Sequence, residues 1–135
     1  MRNYPLIFLF YLTGDIMYGE IDLESYTISL MRINTALSKL EDDGDISEVK
    51  DLFNDSFNDL DKLYRDIVDD LNQEEVNLNE YHLFFQNGRQ TFPQYIEVLG
   101  NIDNPELEDC LYDLINVFNN LNKIANGFNQ NEMTA

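Results

Sequence analysis

Carboxylates dominate the chemistry open to this chain: 26 of its 135 residues are Asp or Glu, set against 8 Lys and Arg and a single histidine, His82. Two carboxylates with different environments can divide general-acid and general-base work in glycoside or phosphoryl chemistry. Nothing in the spacing singles out two of the 26, so no such pair is assigned. One histidine cannot build a His-based metal cluster, dyad or triad within one chain, and His82 reads as a partly buried or surface residue. The stretch "KLEDDGDISEVK" places Gly44 at the sixth position of a calcium loop, Asp43 at the fifth and Ile46 at the eighth. The same register puts Lys39 at the first ligand position and Lys50 at the twelfth, where a bidentate Glu is required. Glycine-rich phosphate loops, cysteine pairs and HExxH are absent from the sequence. The expectation is a protein that is not an enzyme, with no catalytic residue, no metal and no cofactor.

Presented charge is what remains. Between residues 41 and 80 fifteen acids stand against three bases, an excess of 12 within a formal net charge of −18. Wound at about 100° per residue, Glu48, Asp51, Asp55, Asp59, Asp66, Asp69 and Asp70 fall in one arc opposite the apolar face of their helix. From Asp51 to Asp70 that helix rises about 28 Å, a length over which one DNA strand carries roughly 8 phosphates. Imitation of a duplex needs acids from a second element, and Asp109 and Asp113 of the last helix, with Glu106, are placed to supply them. Lys62 lies inside the stripe within reach of Asp66, and Arg65 can pair with Asp61 and Asp69. Acids on an outer helix face also serve solubility without any partner. Closely spaced like charges cost stability, however, and the expectation is that a chain retaining them gains something by binding.

The elements that must hold these acids are helical. Leu23, Tyr26, Leu30, Ile33, Leu37 and Leu40 recur at steps of three and four and predict a helix over roughly 22 to 41, ended by Gly44. Asp45 with Glu48 forms a capping-box pattern that opens a second helix over 46 to 72. Its inner face is Val49, Phe53, Leu60, Tyr64, Ile67 and Leu71, flanked by Leu52, Phe57, Leu63 and Val68. "NQEEVNLN" reads as a connection; Asn79 can cap a short helix ended by Gly88, and Thr91 with Pro93 can open another ended by Gly100. Asn104 and Pro105 start the last helix, over 105 to 126, in which Leu107, Leu111, Leu114, Phe118, Leu121, Ala125 and Phe128 keep the rhythm up to Gly127. The prediction is an all-α, single-domain bundle of four to five helices, without internal repeat or dividing linker.

Composition agrees with a folded core: 44% of residues are hydrophobic and nine Phe and eight Tyr are available to fill it. The lone Cys110 cannot form an intramolecular disulfide and reads as a small core residue in a reducing compartment. Seventeen asparagines fit low-GC coding bias better than a recognition role. The apolar run Pro5 to Leu12 is too short to span a bilayer, which takes about 20 helical residues. Asp15 and Glu20 stand where a signal-peptide cleavage site would be needed, so residence is expected to be cytoplasmic, with no membrane association. Residues 1–16 form a segment of uncertain status, either buried against the domain at 17–135 or preceding a true start at Met17.

Net negative charge of this size repels nucleic acid and attracts basic proteins. In size, acidity and helical content the chain resembles small phage-borne anti-restriction and anti-CRISPR proteins, although no motif matches a particular family of them. That resemblance implies a phage or mobile-element protein that inhibits a basic target by occupying its nucleic-acid-binding groove. The alternative is an immunity protein, antitoxin or assembly chaperone that binds a basic protein without imitating nucleic acid, through an exposed apolar patch at its interface centre.

Overall fold

Apolar side chains at three- and four-residue spacing are drawn to one side wherever the backbone winds at 3.6 residues per turn, and they set the helices here. The computed structural model describes residues 17–18, 21–72 and 81–134. Among these the α-helices are α1 (Leu23–Glu41), α2 (Ile46–Leu71), α3 (His82–Gly100) and α4 (Glu108–Thr134), the last preceded by a 3-10 turn at Pro105–Leu107. A two-residue antiparallel pair, β1 (Met17–Tyr18) with β2 (Ile21–Asp22), leads into α1, with Tyr18 opposite Ile21. The chain is an all-α, single-domain bundle. The predicted run Pro5 to Leu12, the division at residues 1–16 and the Asn79 cap lie outside the described residues, as do the side chains of Leu23 and Phe128.

Local chemistry explains the helix ends. Asp43 takes a left-handed backbone (φ 55°), which Asp tolerates better than most residues. Gly44 then passes so close to α1 that its N–H donates to the Lys39 carbonyl at 2.6 Å, and a Cβ there would stand 2.9 Å from that oxygen. Asp45 caps α2 by accepting from the Ser47 N–H at 2.9 Å. Glu48 does not close the predicted capping box: its carboxylate pairs with Lys39 Nζ at 3.1 Å, tying the start of α2 to the last turn of α1. Asn104 caps the 3-10 turn by accepting from the Glu106 N–H at 3.0 Å, with Pro105 first inside, as expected.

Two helix boundaries differ from expectation. Residues 82–100 form one helix rather than two short ones. Gly88 is not a terminator there: a Cβ at this position would run into the ring of Phe92, which lies back along the helix over the glycine. Thr91 is not a cap but a buried residue whose hydroxyl donates to Asn87 Oδ1 at 3.1 Å. Pro93, which cannot donate a backbone hydrogen bond, sits within the helix on its exposed side. Burial of Phe84, Phe85, Phe92, Tyr95 and Leu99 along the other side outweighs that defect. Gly127 likewise fails to stop the last helix, which continues to Thr134.

Packing joins α1 to α2, α2 to α4 and α4 to α3. Ser29 and Ser56 are fully buried where α1 meets α2, and the Ser56 hydroxyl donates to the Ser29 carbonyl at 3.0 Å. α1 reaches α3 through large rings: Tyr26 meets Phe84 edge-on at 5.0 Å and Phe92 at 6.2 Å. Tyr95 stacks on Phe118 of α4 at 5.2 Å and donates to Asn34 Oδ1 of α1 at 2.9 Å. Every predicted α4 position from Leu107 to Ala125 is buried in this core, and Cys110 joins it, its thiol 3.1 Å from the Leu107 carbonyl.

Candidate interaction surface

The outer face of α2 carries the predicted stripe, and tertiary neighbours divide it into two rows. Asp59 and Asp70 occupy the edge of the arc nearest buried Ser56, about 40° to 60° from it on the helical wheel. Both are half-buried, and both are engaged by other elements. Asp59 Oδ2 lies 2.5 Å from Arg32 Nη1 of α1 and 3.4 Å from the Ser29 hydroxyl. Asp70 accepts from the hydroxyl of buried Tyr81, the residue just before α3. These two predicted binding residues are therefore better described as clamps between α2 and its neighbours. Glu48, through Lys39, is a third such clamp, although an exposed one.

Asp51, Asp55 and Asp69 form the outward row. All three are exposed, and no ion pair engages them among the described residues. Asp66 is exposed but holds Lys62 Nζ at 2.8 Å one turn away, and Arg65 reaches Asp61 at 2.8 Å. The outward acids thus stand at the two ends of α2, about 21 Å of helix apart, with a locally neutralised pair between them.

Asp109 and Asp113 are exposed on the first turns of α4. The Cys110 thiol lies close enough to α2 to feel both groups of charge: burial pushes its pKa up, the Lys50 ammonium pulls it down, and Asp113 adds to the upward push. Lys50 of α2 and Asp113 of α4 thus both lie within electrostatic range of the Cys110 thiol. A thiol held protonated by burial is a poor nucleophile. The buried hydroxyls behave alike: burial raises Tyr26 well above its ordinary value, and Tyr95 is raised by burial against an opposing hydrogen bond with Asn34.

His82 opens α3 on an exposed position, and among the described residues no group of three His, Cys, Asp or Glu is placed to hold a metal ion. No helix among the described residues is long and apolar enough to cross a membrane. Sequence reasoning missed the Arg32–Asp59 and Tyr81–Asp70 contacts. A signal for the first was present in Ser29 and Ser56, small residues on otherwise large apolar faces, each followed three residues later by a charge of opposite sign. Comparisons of the chain with protein-family models, with curated proteins and with solved structures return no match.

Proposed function

We propose that this chain is a non-enzymatic protein ligand of a basic partner, and that it inhibits that partner by seating the outer row of α2 in the groove that otherwise holds nucleic acid. The observation that carries the reading is the exposed row Asp51, Asp55 and Asp69, which no ion pair engages among the described residues; Asp109 and Asp113 are exposed as well, on the first turns of α4. Exposed carboxylates of this kind make charge-assisted hydrogen bonds to Lys and Arg at the cost of little desolvation. Three such acids on α2 fall short of the roughly 8 phosphates of a DNA strand of equal length, so the α4 acids are required members of the interface. Glu48, Asp59, Asp66 and Asp70 support it as long-range charge rather than as contacts.

The test begins with recovery of the partner by pull-down and continues with competition. Partner-bound nucleic acid is expected to be displaced, with affinity falling steeply as salt is added. Reversal of Asp51, Asp55 and Asp69 to Lys is expected to abolish displacement while leaving the melting temperature intact. A ternary complex with nucleic acid, or full affinity in the triple reversal, sinks the reading. A second reading, an immunity protein, antitoxin or assembly chaperone, is favoured by exposed apolar side chains: Ile28 and Met31, one turn apart on α1, and Tyr112 on α4.

A further inference from the structure

The end of the bundle where α3 gives way to α4 carries a cleft of about 440 Å³. Its apolar lining comes from Leu99, Ile102, Pro105, Leu111, Tyr112 and Ile115. Asp103 and Glu108 supply charge to its wall, and the exposed Glu106 and Asp109 stand beside them in sequence. Between Arg89 and Lys123 the sequence contains no Lys or Arg. Lys50 approaches α4 on the Cys110 side, about 160° around the helix from Tyr112, and Arg89 donates to the Ala125 carbonyl, about 20 Å further along α4. Acids in the first turn of α4 also complement its dipole, which explains their presence there but not the cleft. Tyr112 is 67% exposed, the most exposed large hydrophobic side chain among the described residues, and it forms part of the cleft wall.

We infer that this cleft docks a basic segment of a protein partner, with one or two apolar side chains seated against Leu99, Ile102, Leu111 and Ile115 and flanking Lys or Arg side chains paired with Asp103 and Glu108. Charge complementarity selects this occupant. A second copy of the chain would bring two acidic walls together at a net charge of −18 each. Nucleic acids, fatty acids and other anions meet the same repulsion. The apolar floor gives no purchase to a segment that is merely basic, so recognition requires both features at once. Tyr112 is the anchor, an exposed aromatic of the type that dominates interface energetics. The surface is distinct from the outer row of α2 and stands or falls separately from it.

The experiment uses the full chain and a fluorescent 15-residue peptide carrying two leucines four residues apart and four lysines. Matched peptides replace the leucines by serine or the lysines by glutamate. Saturable binding of the first peptide alone is expected, with amide shift changes concentrated at Ile102, Leu111, Tyr112 and Ile115. Tyr112→Ala, and separately Asp103→Lys with Glu108→Lys, should each weaken it by about tenfold or more, equivalent to at least one decade in Kd. Thermal melts should show both variants folded, since these side chains lie at the surface or on the cleft wall. At 0.15 M salt, where screening acts over about 8 Å, the α2 triple reversal should leave peptide affinity nearly unchanged. Equal binding of the serine peptide, shift changes confined to α2, or an unchanged Tyr112→Ala variant would overturn the inference. So would displacement of the peptide by spermine alone, which would mark a small-cation site, or a concentration-dependent dimer abolished by Tyr112→Ala, which would mark self-association.

Discussion

Asp59 and Asp70 on one edge of α2, and Asp51, Asp55 and Asp69 on the other, are the same residue type on the same helix with opposite roles. The first two are half-buried and held by Arg32 and Tyr81; the other three are exposed and unengaged among the described residues. Rotations of only about 40° to 100° about the helix axis separate them. Wheel position assigns an acid to the outer half of a helix, but what lies beside that half depends on which helix packs next to it. A carboxylate at the margin of a contact becomes an acceptor for groups that would otherwise lose water on burial, while one further round stays hydrated and open to a partner.

Substitutions can break or sharpen that contrast. A core change sets the scale: Leu114→Ala, at a fully buried position in α4, should lower the unfolding free energy by about 2–5 kcal/mol in denaturant titration. Asp70→Ala comes next, with an expected loss of about 1–3 kcal/mol, because the buried Tyr81 hydroxyl gives up a charged acceptor. Should Asp70→Ala prove neutral, the two rows would not differ as described.

The tyrosines inside the bundle provide a pH test that the outer acids should not influence. Below pH 10 Tyr26 and Tyr95 are protonated whether folded or unfolded, and they contribute no pH dependence. Above it the unfolded chain ionises first, because burial raises both folded values, so the unfolded state binds fewer protons and stability falls as pH rises. Each tyrosine contributes up to about 1.4 kcal/mol per pH unit, and Tyr95→Phe should make the alkaline decline shallower by one proton. Asp59→Ala should cost at most about 1 kcal/mol, since the Arg32 pair is over a third exposed on both sides and is screened by solvent. Smallest of all, Asn at Asp51, Asp55 and Asp69 together should change stability by no more than about 0.5 kcal/mol, with any gain coming from relieved repulsion. A loss of several kcal/mol in that triple variant would place the outer row among the structural residues.

Much of the bundle is legible in the sequence. Tyr26, Leu30, Ile33 and Leu37, then Val49, Phe53, Leu60 and Ile67, then Leu107 through Ala125, were each placed on a buried face by spacing alone, and each is buried. Asp45 and Asn104 were readable as caps because a cap bonds to a backbone N–H only two residues away. Helical periodicity and capping are short-range, so the identity of a few neighbours in sequence is enough to determine them.

Tertiary packing decided the rest. Gly88 and Pro93 carry strong local signals for a break, yet α3 runs through both, because the Phe92 ring fills the space over Gly88 and is itself enclosed by Tyr26, Phe84 and Phe118 from three different helices. The division of the acidic stripe depends on Arg32, 27 residues from Asp59, and on Tyr81, 11 residues from Asp70. The cleft beside Tyr112 is lined jointly by the end of α3, the connection after it and the start of α4. For α3 and for the acidic stripe the deciding neighbours lie on other elements, and burial energy, which acts on whatever the packed helices bring together, exceeds the local preferences of a glycine, a proline or a single charge.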